Sequence, residues 1–194
     1  MHIFLTGEIQ IGKSTVIVKT LDLINKTPKG FQTYFGLDRG FQNKLLYMNS
    51  ASEPKVFREE NAVARFSDGY PPNALTEKFD TYGVELIRTA RAESNLILMD
   101  ECGSLERDAF VFQKEIIDAL DDNVPILGVI KLASRGWTDI IRNHLKVKLI
   151  FVTRENRDDL PQILANYFNS NMPEVNKWER IETEIEEDEN ETVK

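Results

Sequence analysis

One cysteine, Cys102, serves all 194 residues, so no disulfide can close within the chain and a reducing cytoplasm is the expected setting. Long apolar runs are also missing: none approaches the roughly 20 residues that a membrane-spanning helix needs, so no membrane partner is expected. No basic stretch precedes the opening apolar residues, and the reading therefore expects no signal peptide. Lysine and arginine gather into no stripe, which removes the electrostatic support for nucleic-acid binding. Internal repeats and linker-like segments are absent as well. One domain over residues 1–170 is the simplest organisation at this length.

Negative charge is in excess, and most of it sits at one end. Of the net −8, the stretch Glu179–Lys194 carries −6, with eight acidic residues against Arg180 and Lys194. Residues 171–194 are therefore expected to form a solvated, partly disordered tail. Ile181, Thr183 and Ile185 alternate, so an added edge strand is the alternative. A tail of this kind either keeps the chain soluble or binds a protein partner.

What is present is an alternation of apolar strands and amphipathic helices, the pattern of a mainly parallel α/β sheet. His2–Thr6 is an apolar run of strand length, followed by a helix over Ser14–Asn25. Phe31–Phe35 and Leu45–Met48 are short apolar or aromatic segments, and Val56–Tyr70 is a more polar edge strand or hairpin. Pro71-Pro72-Asn73 marks a break and a helix start, and Leu75, Phe79, Tyr82, Leu86 and Ala90 follow at helical spacing. Leu96–Met99 and Pro125–Ile130 read as central strands buried on both faces, with a helix over Asp108–Leu120 between them. A short helix over Trp137–Leu145, a last core strand over Val147–Val152 and a helix over Asp159–Phe168 complete the pattern.

Between the first strand and helix lie Gly7, Glu8, Ile9, Gln10, Ile11, Gly12, Lys13, Ser14 and Thr15. The spacing G-x-x-x-x-G-K-[ST] lets successive backbone N–H groups turn inward on a phosphate chain. The two glycines permit the tight turn. Lys13 reaches the β- and γ-phosphates, Ser14 is placed to ligate Mg²⁺, and Thr15 adds a hydroxyl near the α-phosphate.

The second feature is Asp100-Glu101, at the end of the apolar strand Leu96–Met99. In a protein with a phosphate loop, an acidic residue at the carboxyl end of a central strand holds Mg²⁺, directly or through water. Asp100 fits that role. A glutamate immediately after it can accept a proton from a water attacking the γ-phosphate. Arg39, Arg65, Arg107, Arg135 and Arg142 are candidates for an arginine finger, and Lys131, just past Ile130, for a γ-phosphate sensor.

These residues also carry a family resemblance. Met99-Asp100-Glu101-Cys102-Gly103-Ser104-Leu105-Glu106 resembles the DEIGxME segment of the nucleoside-triphosphatase family, small P-loop proteins of the cancer-related NTPase homologue type. Val152-Thr153-Arg154-Glu155-Asn156-Arg157-Asp158-Asp159-Leu160-Pro161 is similar to its VT-x-x-NRD-x-LP segment. The stretch from Val63 through Asp68-Gly69-Tyr70 to Tyr82-Gly83-Val84 resembles its long connection, so the likeness covers most of Met1–Asn169. It implies a three-layer, RecA-like α/β/α fold and Mg²⁺-dependent hydrolysis of ATP, GTP and other nucleoside triphosphates. By position, Lys13 and Ser14 handle phosphate and metal, Asp100 the metal and Glu101 the water. Glu106 matches a second acidic residue, with no role assigned. Asn156 and Arg157 either border the base or ribose or shape a turn, and Cys102 sits at an apolar position that packs. The family usually has Pro-Gly where this chain has Ile9-Gln10.

Two other functions share the scaffold. A small-molecule or nucleotide kinase would use Val56–Asn73 to build a lid over a second substrate. A nucleotide-dependent switch would use the acidic tail to engage a protein.

Overall fold

The computed structural model describes residues 1–171. The acidic stretch Glu179–Lys194, and the edge strand suggested by Ile181, Thr183 and Ile185, lie outside the described residues. Among those residues a single eight-stranded sheet runs in the order β5-β4-β3-β2-β6-β7-β1-β8.

Five strands form its parallel half. They are β1 (His2–Thr6), β2 (Lys29–Phe35), β6 (Ile97–Cys102), β7 (Ile126–Ile130) and β8 (Val147–Phe151). β1 and β7 are buried along their whole length, which is why both read as unbroken apolar runs. Gly128 in β7 makes room for the ring of Phe4, since a Cβ there would sit 2.3 Å from it. β8 was expected in the core, and the structure makes it an edge. Among the described residues it pairs with β1 alone, and Lys148, Leu149 and Phe151 are exposed, so its apolar residues cover the sheet margin.

The other half is antiparallel: β3 (Lys44–Ser50) returns alongside β2, then β4 (Ala62–Phe66) and the two-residue β5 (Asn73–Ala74) extend the sheet outward. Of the polar segment Val56–Tyr70, Ala62–Phe66 is thereby built into the sheet margin and the rest is connection.

Helices cover both faces. On one side α1 (Lys13–Ile24) and α6 (Leu160–Asn171) pack against Ile3, Leu5, Leu98, Leu127 and Val129. On the other lie α3 (Val84–Glu93), α4 (Phe110–Asp121) and α5 (Trp137–Arg142), over Phe31, Met48, Ile97 and Met99. This is the three-layer α/β/α arrangement.

The helix after the Pro-Pro break differs from its expected form. Asn73–Ala74 first pairs with β4, and helix begins only at α2 (Thr76–Lys78). A π-turn over Phe79–Gly83 then leads into α3. The wider turn inserts a residue into the 3.6 period. The buried positions become Phe79, Gly83, Val84, Ile87 and Ala90, while Tyr82 and Leu86 are only half-buried.

Candidate active site

The site is built at the carboxyl ends of the parallel strands. β1 stops at Thr6, whose carbonyl accepts the Val152 N–H at 2.8 Å and ties the loop's start to the end of β8. Gly7 follows at φ +147°, with Val152 O only 2.6 Å from where a Cβ would be. No other residue fits that approach. Gly12, at φ +112°, turns the chain into α1, and its carbonyl accepts the Val16 N–H at 2.9 Å.

The Lys13 ammonium folds back over the loop and donates to Gly7 O at 2.9 Å and Glu8 O at 2.8 Å. Glu8, Ile9, Gln10, Ser14 and Thr15 are exposed, so the loop is an open rim. Arg157 comes from the turn after β8 and donates to Ile11 O at 3.2 Å. Its stem lies 3.7 Å from the Gly12 Cβ position. The structure thus sets Arg157 against the phosphate loop.

Asn156 does something else. Its Oδ1 accepts the Thr153 N–H at 2.9 Å and its Nδ2 donates to Phe151 O at 2.9 Å. Both ends of the side chain are spent on shaping the turn that carries Arg157, the structural alternative of the sequence reading.

β6 delivers the carboxylates one strand away from β1, with β7 between them. Against β7 the register shifts: Met99 pairs with Gly128 but Cys102 with Ile130, so β6 carries one extra residue there. A bulge of this kind re-aims side chains at a strand end. Asp100 and Glu101 are the residues it turns. Thr33 of β2 holds them from the other side, donating to Asp100 O at 3.2 Å and accepting the Glu101 N–H at 3.3 Å.

Burial, and then the neighbouring Glu101 charge, push the Asp100 carboxyl up to about 7, while the Ser14 hydroxyl and the Lys13 ammonium pull it down. β6 and β1 end at the same rim of the sheet with β7 alone between them, which brings the two halves of the site together. Glu101 Oε1 lies 3.0 Å from Lys131 Nζ. The lysine stem crosses Gly103, where a Cβ would stand 2.9 Å from its Cδ.

Glu106 is only 3% exposed, and its Oε2 accepts the Gly103 N–H at 2.8 Å. Trp137 Nε1 donates to Gly103 O at 2.7 Å, so both backbone polar groups of Gly103 are held by side chains. Burial lifts the Glu106 carboxyl to about 7 against that hydrogen bond. Cys102 is fully buried and burial raises its thiol well above the usual range, which makes it a packing residue.

Most of the finger candidates are occupied elsewhere. Arg65 pairs with Glu59, and Arg107 donates to Ser104 O at 3.0 Å. Arg135 donates to Leu132 O and Ser134 O, and Arg142 to Lys131 O at 2.7 Å, so both brace the loop after β7. Arg39 lies in the short 3₁₀ turn Leu37–Gly40. Thr33, Trp137 and Lys55, all close to this strand-end cluster or bonded to it, were not singled out by sequence reasoning. Each arrives through sheet pairing or loop course, for which no local motif exists.

A strand–loop–helix phosphate cradle facing a strand-end carboxylate pair, on a three-layer α/β/α sheet, defines a P-loop nucleoside-triphosphatase fold. A model of the family described as NTPase matches residues 2–165. The chain belongs to that family of nucleoside-triphosphate-hydrolysing enzymes.

Its relatives agree. It is 28% identical over 171 residues to the nucleoside-triphosphatase THEP1 of Thermofilum pendens, covering 84% of this chain and 93% of that protein. The nucleoside-triphosphatase THEP1 of Methanocaldococcus jannaschii is 26% identical, with 86% and 96% covered. Among solved structures, THEP1 from Aquifex aeolicus superimposes with a TM-score of 0.67 at 20% identity, covering 86% of this chain and 98% of that one. A human cancer-related nucleoside triphosphatase gives 0.68 at 22%, with 89% and 99% covered. Those two likenesses bear on the fold.

Proposed function

We propose that this chain is a Mg²⁺-dependent nucleoside-triphosphatase that converts ATP, GTP and other nucleoside triphosphates to the diphosphate and phosphate, with Glu101 activating water. The observation that supports the reading best is that β1, which leads into Lys13 and Ser14, and β6, which carries Asp100 and Glu101, end at the same rim of the sheet with β7 alone between them.

The donor set fits a hard cation. Ser14 and Asp100 offer oxygen ligands, the kind Mg²⁺ takes, and the half-buried Asp100 carboxyl makes no ion pair among the described residues. Among the described residues no cluster of three or more His, Cys, Asp or Glu could cage a metal alone. Mg²⁺ typically keeps waters and borrows phosphate oxygens, so a Ser–Asp pair suffices. Bound there, the ion would neutralise charge on the β- and γ-phosphates.

The chain's own groups do the rest. The loop N–H groups from Glu8 to Ser14 and the amino end of α1 draw the phosphates in. Lys13 exchanges its two carbonyl partners for phosphate oxygens. Glu101 accepts a proton from a water in line with the γ-phosphorus; the oxygen attacks, the bond to the bridging oxygen breaks, and the diphosphate leaves. Lys131 orients the Glu101 carboxylate. Thr33 and the Gly103–Glu106 turn fix the backbone that carries it. A buried single cysteine supports placing the enzyme in the cytoplasm. Among the described residues no helix is long and apolar enough to cross a membrane.

Phosphate release across a panel of nucleoside triphosphates and diphosphates with Mg²⁺ tests the reading. Glu101→Gln keeps nucleotide binding and lowers turnover by roughly 10²- to 10⁴-fold; Lys13→Ala weakens binding and turnover together. Unchanged turnover in Glu101→Gln removes that residue from the chemistry.

A further inference from the structure

Phosphoryl transfer spreads negative charge over the γ-oxygens, and P-loop hydrolases add a cation there from outside the loop. Four of the five arginines read as candidates are bonded to carbonyls or carboxylates elsewhere. We propose that Lys55, carried on the connection between β3 and β4, is that further catalytic cation and contacts the γ-phosphate. The assignment rests on the hydrolase reading above.

The geometry begins on β2. Gln32 is the register partner of Asp100, and Tyr34 lies two residues nearer the carboxyl end on the same sheet face. Lys55 Nζ sits 5.1 Å from the centroid of the Tyr34 ring. That places the ammonium at the carboxyl end of β2, the strand that pairs with the one carrying Asp100 and Glu101.

The connection is built to hold Lys55 there. Glu53 O accepts from Gln32 Nε2 at 3.1 Å, and Pro54 O from Asn49 Nδ2 at 2.9 Å. On the other side the Val56 N–H donates to the Tyr34 hydroxyl at 2.7 Å, and Val56 O accepts from Asn61 Nδ2 at 2.9 Å. Asn49 and Asn61 are buried, where polar groups are costly unless paired. Residues 53, 54 and 56 are therefore fixed, while the Lys55 side chain is exposed. Among the described residues no carboxylate lies within ion-pairing distance of it, whereas Lys29, Lys114 and Lys131 each have one. A cation held by a rigid, buried polar scaffold, on the site's face and without a counter-charge, is suited to an anionic ligand. Exposure leaves it free to close on the phosphate at no cost to the fold.

The chemistry of the chain supplies a clean test. Lys55→Ala lowers Mg-ATP turnover by about 10²-fold, the scale of one lost transition-state donor, with an unchanged melting temperature. Lys55→Arg retains most of the activity. Cys102 is buried, so in Lys55→Cys the new thiol alone is open to alkylation. Treatment with 2-bromoethylamine, which restores an ammonium of similar length, recovers turnover; iodoacetamide, which adds a neutral group, does not. Turnover in Lys55→Ala within about twofold of wild type overturns the assignment, and the loss in Glu101→Gln still decides the hydrolase reading separately. Should wild type release no phosphate, calorimetry with Mg-ATP and Mg-ADP decides Lys55. The contact requires Lys55→Ala to lose preference for ATP over ADP, and an unchanged preference overturns it.

Discussion

Gln10 holds a φ of +63°, a left-handed conformation that costs a residue with a Cβ about 1 kcal/mol. Glycine occupies that position in the family pattern, and the dihedral is the physical reason. Ile9 beside it is 87% exposed, so its bulk presses on no part of the fold. Gln10→Gly is expected to hold or raise the melting temperature, because relief of strain offsets the extra entropy of glycine in the unfolded chain. Gln10→Val, with a β-branched side chain at positive φ, is expected to cost about 1–2 kcal/mol. Thermal unfolding of the two variants in parallel checks both, and equal melting temperatures would sink the strain argument. Lys13, Ser14, Asp100 and Glu101 were legible because their chemistry depends on short-range spacing. Thr33 and Lys55 were not, since nothing near Phe31–Phe35 or Pro54 in the sequence announces which strand end they will meet.

Among the elements, the helical stretch from α2 to α3 shows how packing overrides period. An ideal helix through Leu75, Phe79, Tyr82, Leu86 and Ala90 would face the sheet with Tyr82. The π-turn instead brings Gly83 against Phe112, where a Cβ would lie 2.8 Å from the ring. Phe112 is fully buried, with Phe31 and Phe79 5.3 and 5.5 Å away between centroids, so it has nowhere to retreat. Gly83→Ala is therefore expected to destabilise by about 1–3 kcal/mol, although alanine ordinarily favours a helix. Urea unfolding measures it, and a stabilised variant would contradict the packing account. The same locality explains the strands: β1, β6 and β7 were readable as continuous apolar runs, whereas β8 has similar composition and lies at an edge. Burial on two faces and cover at a margin ask for the same residues.

Taken whole, the molecule joins a parallel half that carries the site to an antiparallel extension that carries Lys55. The α/β class was legible from alternation, and the antiparallel direction of β3 and β4 was not, because strand direction depends on connections rather than on strand composition. Global stability has a marker in β1, the strand next to the β8 edge. His2 in β1 is 1% exposed, and its Nε2 donates to Leu120 O at 2.9 Å, linking the first strand to the end of α4. Burial lowers its pKa from 6.5 to about 4. The unfolded chain takes up that proton near pH 6.5 and the folded chain resists it, so this contribution is present above 6.5 and lost as pH falls toward 4. The stability advantage of wild type over His2→Gln is expected to shrink across that window, at up to roughly 1.4 kcal/mol per pH unit. Denaturant unfolding at pH 7 and pH 4.5 checks it; a constant difference would mean that His2 does not titrate with folding.

β7 stands between the strand that ends in the phosphate loop and the strand that ends in the carboxylates. Two ladder spacings, about 10 Å, thus set the gauge between the groups that grip the nucleotide and those that attack it. A hydrogen-bonded ladder cannot stretch without breaking. The span belongs to the scaffold, and opening, closing and tuning are left to side chains and to the loops at its rim.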